Sequence, residues 1–157
     1  LILRMPKARL DDIISRATAT TIYKATLLKL SYPVAVKVYN SHDVEGWNRE
    51  CNIYLNYKIL HDNILSCKGA GLAKTGKKMG LGSIVPDNSL YCLKKTSMFN
   101  FLLMIDYHPT GSLDGFLLNN LIKVSDVIRI ITDICRGLEY LHSSSCGSNG
   151  FKPVIVH

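Results

Sequence analysis

The chain has 157 residues, 47% of them hydrophobic, with five cysteines and a formal net charge of +7. This apolar content fills a core and excludes a disordered chain. Nothing approaches the roughly 18 consecutive apolar residues of a membrane span, and Arg4 and Lys7 cut off Leu1-Ile2-Leu3, so no signal peptide is expected. Cys51, Cys67, Cys92, Cys135 and Cys146 are scattered without CxxC spacing, which predicts reduced thiols in a cytosolic setting and neither a disulfide framework nor a zinc site. The basic residues cluster only at Lys74, Lys77 and Lys78 and at Lys94-Lys95, with no aromatic residues alternating among them. A nucleic-acid partner is therefore not expected.

In chain order, residues 10–16 and 20–28 read as two short strands, the second carrying the β-prone run Thr20-Thr21-Ile22-Tyr23. Leu30-Ser31-Tyr32-Pro33 is a turn into a Val-rich third strand, Pro33-Val34-Ala35-Val36-Lys37-Val38-Tyr39. Asn40-Ser41-His42-Asp43 then supplies capping side chains for a helix reaching about Tyr57, with Glu45 in its first turn. On that helix Trp47, Glu50, Cys51 and Tyr54 share one face by i, i+3, i+4, i+7 spacing. Residues 59–65 form a loop leading to a fourth strand that ends near Ala70, and residues 71–97 read as a long inserted loop with a short strand around Leu90-Tyr91-Cys92-Leu93. The apolar run 99–105 is a buried central strand, broken sharply at 106–111. Ser112 caps a short helix ending near Asn119-Asn120, and Ser125 or Asp126 caps a longer one. Its apolar positions Val127, Ile130, Ile131, Ile134, Leu138 and Leu141 keep helical spacing, which predicts packing against something large. Residues 143–150 read as a polar loop before an extended segment from Lys152 to His157.

Lys37 is the anomaly. A strand this apolar seldom turns a lysine inward unless a partner waits for it. Glu50, thirteen residues on, lies among the apolar positions of the following helix, where its carboxylate can meet the Lys37 ammonium. The plain alternative is an edge strand with Lys37 in water, but Glu50 on the apolar side of its helix favours the pair.

A lysine in Val-Ala-Val-Lys paired with a helix glutamate resembles the protein-kinase arrangement for holding ATP phosphates. The element order also resembles that fold: α+β, a five-stranded antiparallel amino-terminal lobe with one helix, then the first two helices of an incomplete helical carboxy-terminal lobe. The resemblance divides the chain into a leader (1–9), an amino-terminal lobe (10–106, with 71–97 inserted), and a hinge with the truncated start of the second lobe (107–157). Val34 to Tyr39, Trp47 to Glu50, Asn52-Ile53-Tyr54, His61 to Leu65, Asp106 to Leu113, Arg136 to His142 and Lys152 to His157 together resemble TGF-β superfamily receptor serine/threonine kinases, with the type II bone-morphogenetic-protein branch nearest.

The resemblance implies an ATP site. Lys37 would hold the phosphates and Glu50 would orient it. Ile22 and Ala35 would cover the adenine, and Ile105 would stand at the back of the pocket as gatekeeper. The Asp106 carbonyl and the His108 backbone would bond the adenine edge, with Ser112 near the ribose. In the phosphate-covering motif G-x-G-x-x-G-x-V, Ser15, Ala17 and Thr20 stand where the glycines belong; the first glycine of the chain is Gly46. His157 matches the opening of the catalytic loop, so the base and the ligands for Mg²⁺ or Mn²⁺ would follow it. The chain is accordingly expected to be an inactive fragment with no catalytic or metal-binding residue of its own. The whole protein would be a single-pass plasma-membrane receptor with a cytoplasmic kinase. It would bind a growth factor through an ectodomain absent here and phosphorylate a type I receptor kinase. The alternative is a pseudokinase or truncated receptor acting as a scaffold.

Overall fold

The computed structural model describes residues 6–57, 59–74, 99–147, 150–152 and 154–155. Residues up to Asn56 together with Ser66–Tyr107 form one compact unit, and Tyr57–Leu65 together with the residues from His108 onward form another.

In the first unit, strands β1 (Ala8–Arg16), β2 (Thr20–Leu27), β3 (Pro33–Tyr39), β4 (Cys67–Lys74) and β5 (Phe99–Asp106) make one antiparallel sheet in the order β1-β2-β3-β5-β4. β3 is therefore central, and Lys37 does not lie on an edge. Helix α1 (Val44–Tyr57) follows it. The period-2 alternation of strand side chains divides the core in two. Ala25, Leu27, Val34, Val36, Val38, Leu102 and Met104 pack on one face. Tyr39, Ala70, Leu72, Phe101 and Leu103 pack on the other, with Trp47 and Cys51 of α1. β5 contributes to both, which is why its sequence is a continuous apolar run.

Local chemistry starts α1 where the capping residues predict. The Asp43 carboxylate accepts a hydrogen bond from the Gly46 N–H at 3.2 Å, satisfying one of the free donors of the first turn. A Cβ on residue 46 would stand 2.5 Å from that carboxylate oxygen, so glycine makes room for the cap. The predicted helix face holds. Trp47 and Cys51 are buried, the Trp47 indole N–H donates to the Leu102 carbonyl at 3.0 Å, and its ring lies 5.0 Å from that of Phe101.

Three sequence expectations need correction. β4 does not stop at Ala70 but runs to Lys74, paired with β5 through Lys74↔Phe99, so the start of the expected 71–97 loop is strand. Small residues conceal it: Gly69, Ala70, Gly71 and Ala73 carry little β signal, and pairing against β5 imposes the conformation. The rest of that loop, from residue 75 to 98 and including the strand expected near Leu90, lies outside the described residues. Within the 143–150 stretch read as a polar loop, Ser145–Gly147 (β6) pairs antiparallel with Gly150–Lys152 (β7).

The second unit contains α2 (Leu113–Asn119) and α3 (Val124–His142). Ser112 caps α2 as expected, accepting the Gly115 N–H at 3.1 Å. The cap of α3 is the third correction. Lys123 is the N-cap residue, and Asp126, inside the first turn, accepts the Lys123 N–H at 3.4 Å. Asp126 thus serves the helix start from within, where a carboxylate also suits the helix dipole. The 59–65 loop packs on α3: the His61 and Tyr140 rings stack at 4.9 Å, and the Asn63 carbonyl lies 3.1 Å from where a Cβ on Gly137 would stand. Val127, Ile131 and Ile134 of α3 are 37%, 55% and 47% exposed. No helix among the described residues is long and apolar enough to cross a membrane.

Candidate functional site

Lys37 is the one charged side chain of β3, and alternation turns it to the α1 face with Ala35 and Tyr39. Its ammonium meets the Glu50 carboxylate of α1 at 2.6 Å, with the two side chains 24% and 31% exposed. The sequence predicts this pair from a lysine in the wrong company and a glutamate on an apolar helix face. It does not predict the third member. The Tyr39 hydroxyl donates to the same carboxylate oxygen, Glu50 Oε2, that Lys37 approaches, and the Lys37 ammonium stands 5.0 Å from the Tyr39 ring centroid. The signal was available in the sequence: Tyr39 is two residues from Lys37 on one strand and so shares its face. Burial first, and then the hydrogen bond to Glu50, push the Tyr39 hydroxyl well above its ordinary pKa, so it stays a protonated donor.

The register brings the other proposed ATP contacts of the sheet to this face. Lys37 is opposite Ile22 on β2 and Leu103 on β5; Ala35 is opposite Lys24 and Ile105; Ile105 is opposite Cys67. Directly opposed residues point to the same side, so Ile22, Ala35, Lys37 and Ile105 occupy one contiguous patch. His108 and Ser112 belong to the second unit. There the His108 carbonyl accepts the Gly111 N–H at 3.1 Å, and Gly111 takes φ +75°, a left-handed conformation that closes the turn. The Ser112 hydroxyl is engaged as the α2 cap.

Asp106 is held by its side chain, which the sequence reading did not use. One carboxylate oxygen meets the Lys68 ammonium at 2.8 Å, and the other accepts the Ser66 hydroxyl at 2.8 Å and the Ser66 N–H at 3.1 Å. The Asp106 N–H donates to the Ser66 carbonyl at 3.2 Å. The end of β5 is thereby clamped to the residues entering β4. Burial alone would raise the Asp106 carboxyl, but the bonds from Lys68 and Ser66 outweigh it and leave the group below its ordinary value.

The β1–β2 turn, where Ser15, Ala17 and Thr20 stand at the glycine positions, closes through an Ala17 N–H to Thr20 carbonyl bond of 2.8 Å. Among the described residues Ser31 is the only one other than glycine with positive φ. The turn therefore makes no conformational demand for glycine. What the side chains change is how closely a ligand can approach the backbone. Just before it, Asp11 braces the hairpin: its carboxylate accepts the Thr26 hydroxyl at 2.6 Å and the Arg9 Nε–H at 2.8 Å, which hold its pKa down.

Cys51, Cys67 and Cys135 are free thiols, and burial pushes the Cys51 thiol up to about 12, which leaves it unreactive. Among the described residues no group of three or more His, Cys, Asp or Glu side chains is placed to hold a metal ion.

Comparison with known proteins places the chain among receptor kinases by sequence. Human activin receptor type-1C is 32% identical over 124 residues, covering 79% of this chain and 21% of that receptor. Chicken activin receptor type-2A is 32% identical over 150 residues, covering 95% and 25%. Human TGF-beta receptor type-1 is 31% identical over 124 residues, covering 79% and 20%. The chain thus spans a quarter or less of these relatives, and both receptor types are among its homologues. The model of the protein tyrosine and serine/threonine kinase family matches residues 8–147, the stretch that carries the sheet, the Lys37–Glu50 pair and the three helices, and the chain belongs to that family.

Proposed function

We propose that this chain forms the nucleotide-binding part of a transmembrane receptor serine/threonine kinase of the TGF-β superfamily. On this reading Lys37 holds the ATP phosphates and Glu50 orients it. Ile22 and Ala35 cover the adenine, Ile105 stands behind it, and the Asp106 carbonyl and the His108 backbone bond its edge, with Ser112 near the ribose. The observation that carries it is the Lys37–Glu50 contact on a central strand. In a partly buried pair the cost of desolvating both charges offsets most of their attraction, whereas an aliphatic side chain buried there would contribute about 1.5–3 kcal/mol. Packing alone is a poor reason for the lysine. A partly buried ammonium, oriented by a carboxylate, suits a phosphate. Ile22, Ala35 and Ile105 beside it supply the apolar surface an adenine ring needs.

Protein kinases use ATP with Mg²⁺, which neutralises the phosphate charge during transfer. In the whole protein, the proposed substrate is a serine or threonine of a type I receptor kinase, and the proposed place is the cytoplasmic side of a single-pass membrane receptor. Placement on the type II bone-morphogenetic-protein branch is the finer form of the same proposal. A second reading, a pseudokinase or truncated receptor scaffold, is favoured by the glycine-free β1–β2 turn at Ser15, Ala17 and Thr20.

Titration of the chain with ATP, read by calorimetry, tests the proposal. Saturable binding that Lys37→Ala abolishes is expected. Absence of binding by the unaltered chain would overturn it. Binding without phosphoryl transfer by the complete gene product would select the scaffold.

A further inference from the structure

We propose that Tyr39 is a positioning residue of the nucleotide site, holding the Glu50 carboxylate against β3 independently of Lys37; this rests on the nucleotide-binding reading above. Tyr39 and Lys37 converge on one oxygen, Glu50 Oε2. Their means of reaching it differ. Lys37 ends a flexible four-carbon stem, and a phosphate arriving at its ammonium competes with Glu50 for the same three donors. Tyr39 has two rotatable side-chain bonds, is 2% exposed, and is fixed among Trp47, Phe101 and Leu103. Its hydroxyl is a donor that no ligand needs to displace.

The consequence concerns α1. Glu50 sits near the middle of that helix, so a rigid anchor at Glu50 keeps α1 against β3 whether or not Lys37 is engaged elsewhere. The Tyr39 ring also presents its face to the Lys37 ammonium at 5.0 Å, an attraction that keeps the cation near the carboxylate without occupying it. Phenylalanine fills the same volume and keeps the ring face, so the hydroxyl can be tested by itself.

Hydrogen exchange of α1 and ATP affinity are measured together in the whole chain, for the unaltered protein, Tyr39→Phe and Lys37→Met. Loss of one hydrogen bond to a charged group predicts that Tyr39→Phe weakens ATP binding about 10- to 150-fold. The amides around Glu50 should exchange faster by a similar factor. In Lys37→Met the same amides should exchange at the unaltered rate, since Tyr39 remains. A readout specific to this helix is available in Trp47, the one tryptophan of the chain and one turn before Glu50. Its fluorescence should shift in Tyr39→Phe and not in Lys37→Met. Unchanged affinity and exchange in Tyr39→Phe would reduce Tyr39 to packing and overturn the proposal, and so would tighter ATP binding, which would make Tyr39 a competitor of Lys37. Equal loosening of α1 in both variants would also overturn it. If the unaltered chain binds no ATP, the nucleotide reading fails, while the exchange comparison still decides whether Tyr39 anchors Glu50.

Discussion

The two faces of β3 are made by alternate residues of one strand, yet they follow different chemistry. Val34, Val36 and Val38 look into an apolar layer completed by Leu102 and Met104, where every contact is interchangeable dispersion and burial. Ala35, Lys37 and Tyr39 look toward α1, where a cation, a carboxylate and a phenol meet within hydrogen-bonding distance. The valine face holds the strand in place so that the other can carry a group that contributes little to stability. Substitutions on the two faces should therefore separate stability from binding.

The largest effect is expected on the valine face. Met104 is fully buried there, and Met104→Ala should cost about 2–5 kcal/mol in denaturant unfolding. The fraction that remains folded should bind ATP with unaltered affinity. A loss of affinity in the folded fraction would show that the faces are coupled. Next comes the other face. Lys37→Met should weaken ATP binding at least about tenfold, or about 1.4 kcal/mol, while changing unfolding stability by no more than about 1 kcal/mol. A large loss of stability with intact binding would reverse the assignment of the two faces.

How much of this the sequence discloses follows the same division. Wherever apolar periodicity was unbroken it located the elements: β3 and β5, the buried stripe of α1, and α3 with its apolar spacing. Lys37 and Glu50 stood out because each was a charge in apolar company. The extension of β4 was hidden because glycines and alanines acquire strand conformation from a neighbour and not from their own preference. The β6–β7 ladder was hidden for the same reason among serines and glycines. Tyr39 and Asp106 were missed differently. Asp106 has a sequence role only through its backbone carbonyl and Tyr39 only as the end of a strand, and neither hydrogen-bonding partner is near in sequence: Glu50 is eleven residues from Tyr39, and Ser66 is forty from Asp106.

The start of α1 offers a smaller test, because Glu50 can meet β3 only if the helix begins in register. Asp43→Ala removes the carboxylate that accepts the Gly46 N–H and should cost about 1 kcal/mol. Asp43→Asn, which retains an acceptor, should restore most of it. If both variants are equally destabilised, the cap acts through charge and not through the hydrogen bond.

The smallest effect is an acid-dependent one at the β4–β5 clamp. The Asp106 carboxyl sits below its ordinary value of 3.8 in the folded chain. Its stabilisation is therefore fully present above that value and is lost as the pH falls through the lower folded value. Asp106→Asn should be less stable than the parent at pH 7, by no more than about 1 kcal/mol given the partial exposure of the Lys68 pair. The difference should shrink as the pH is lowered through the acid range below 3.8, because the parent loses there what the variant never had. Urea midpoints of both proteins at pH 7 and in that range decide the matter. Parallel curves would mean that Ser66 and Lys68 hold a neutral side chain as well as a charged one.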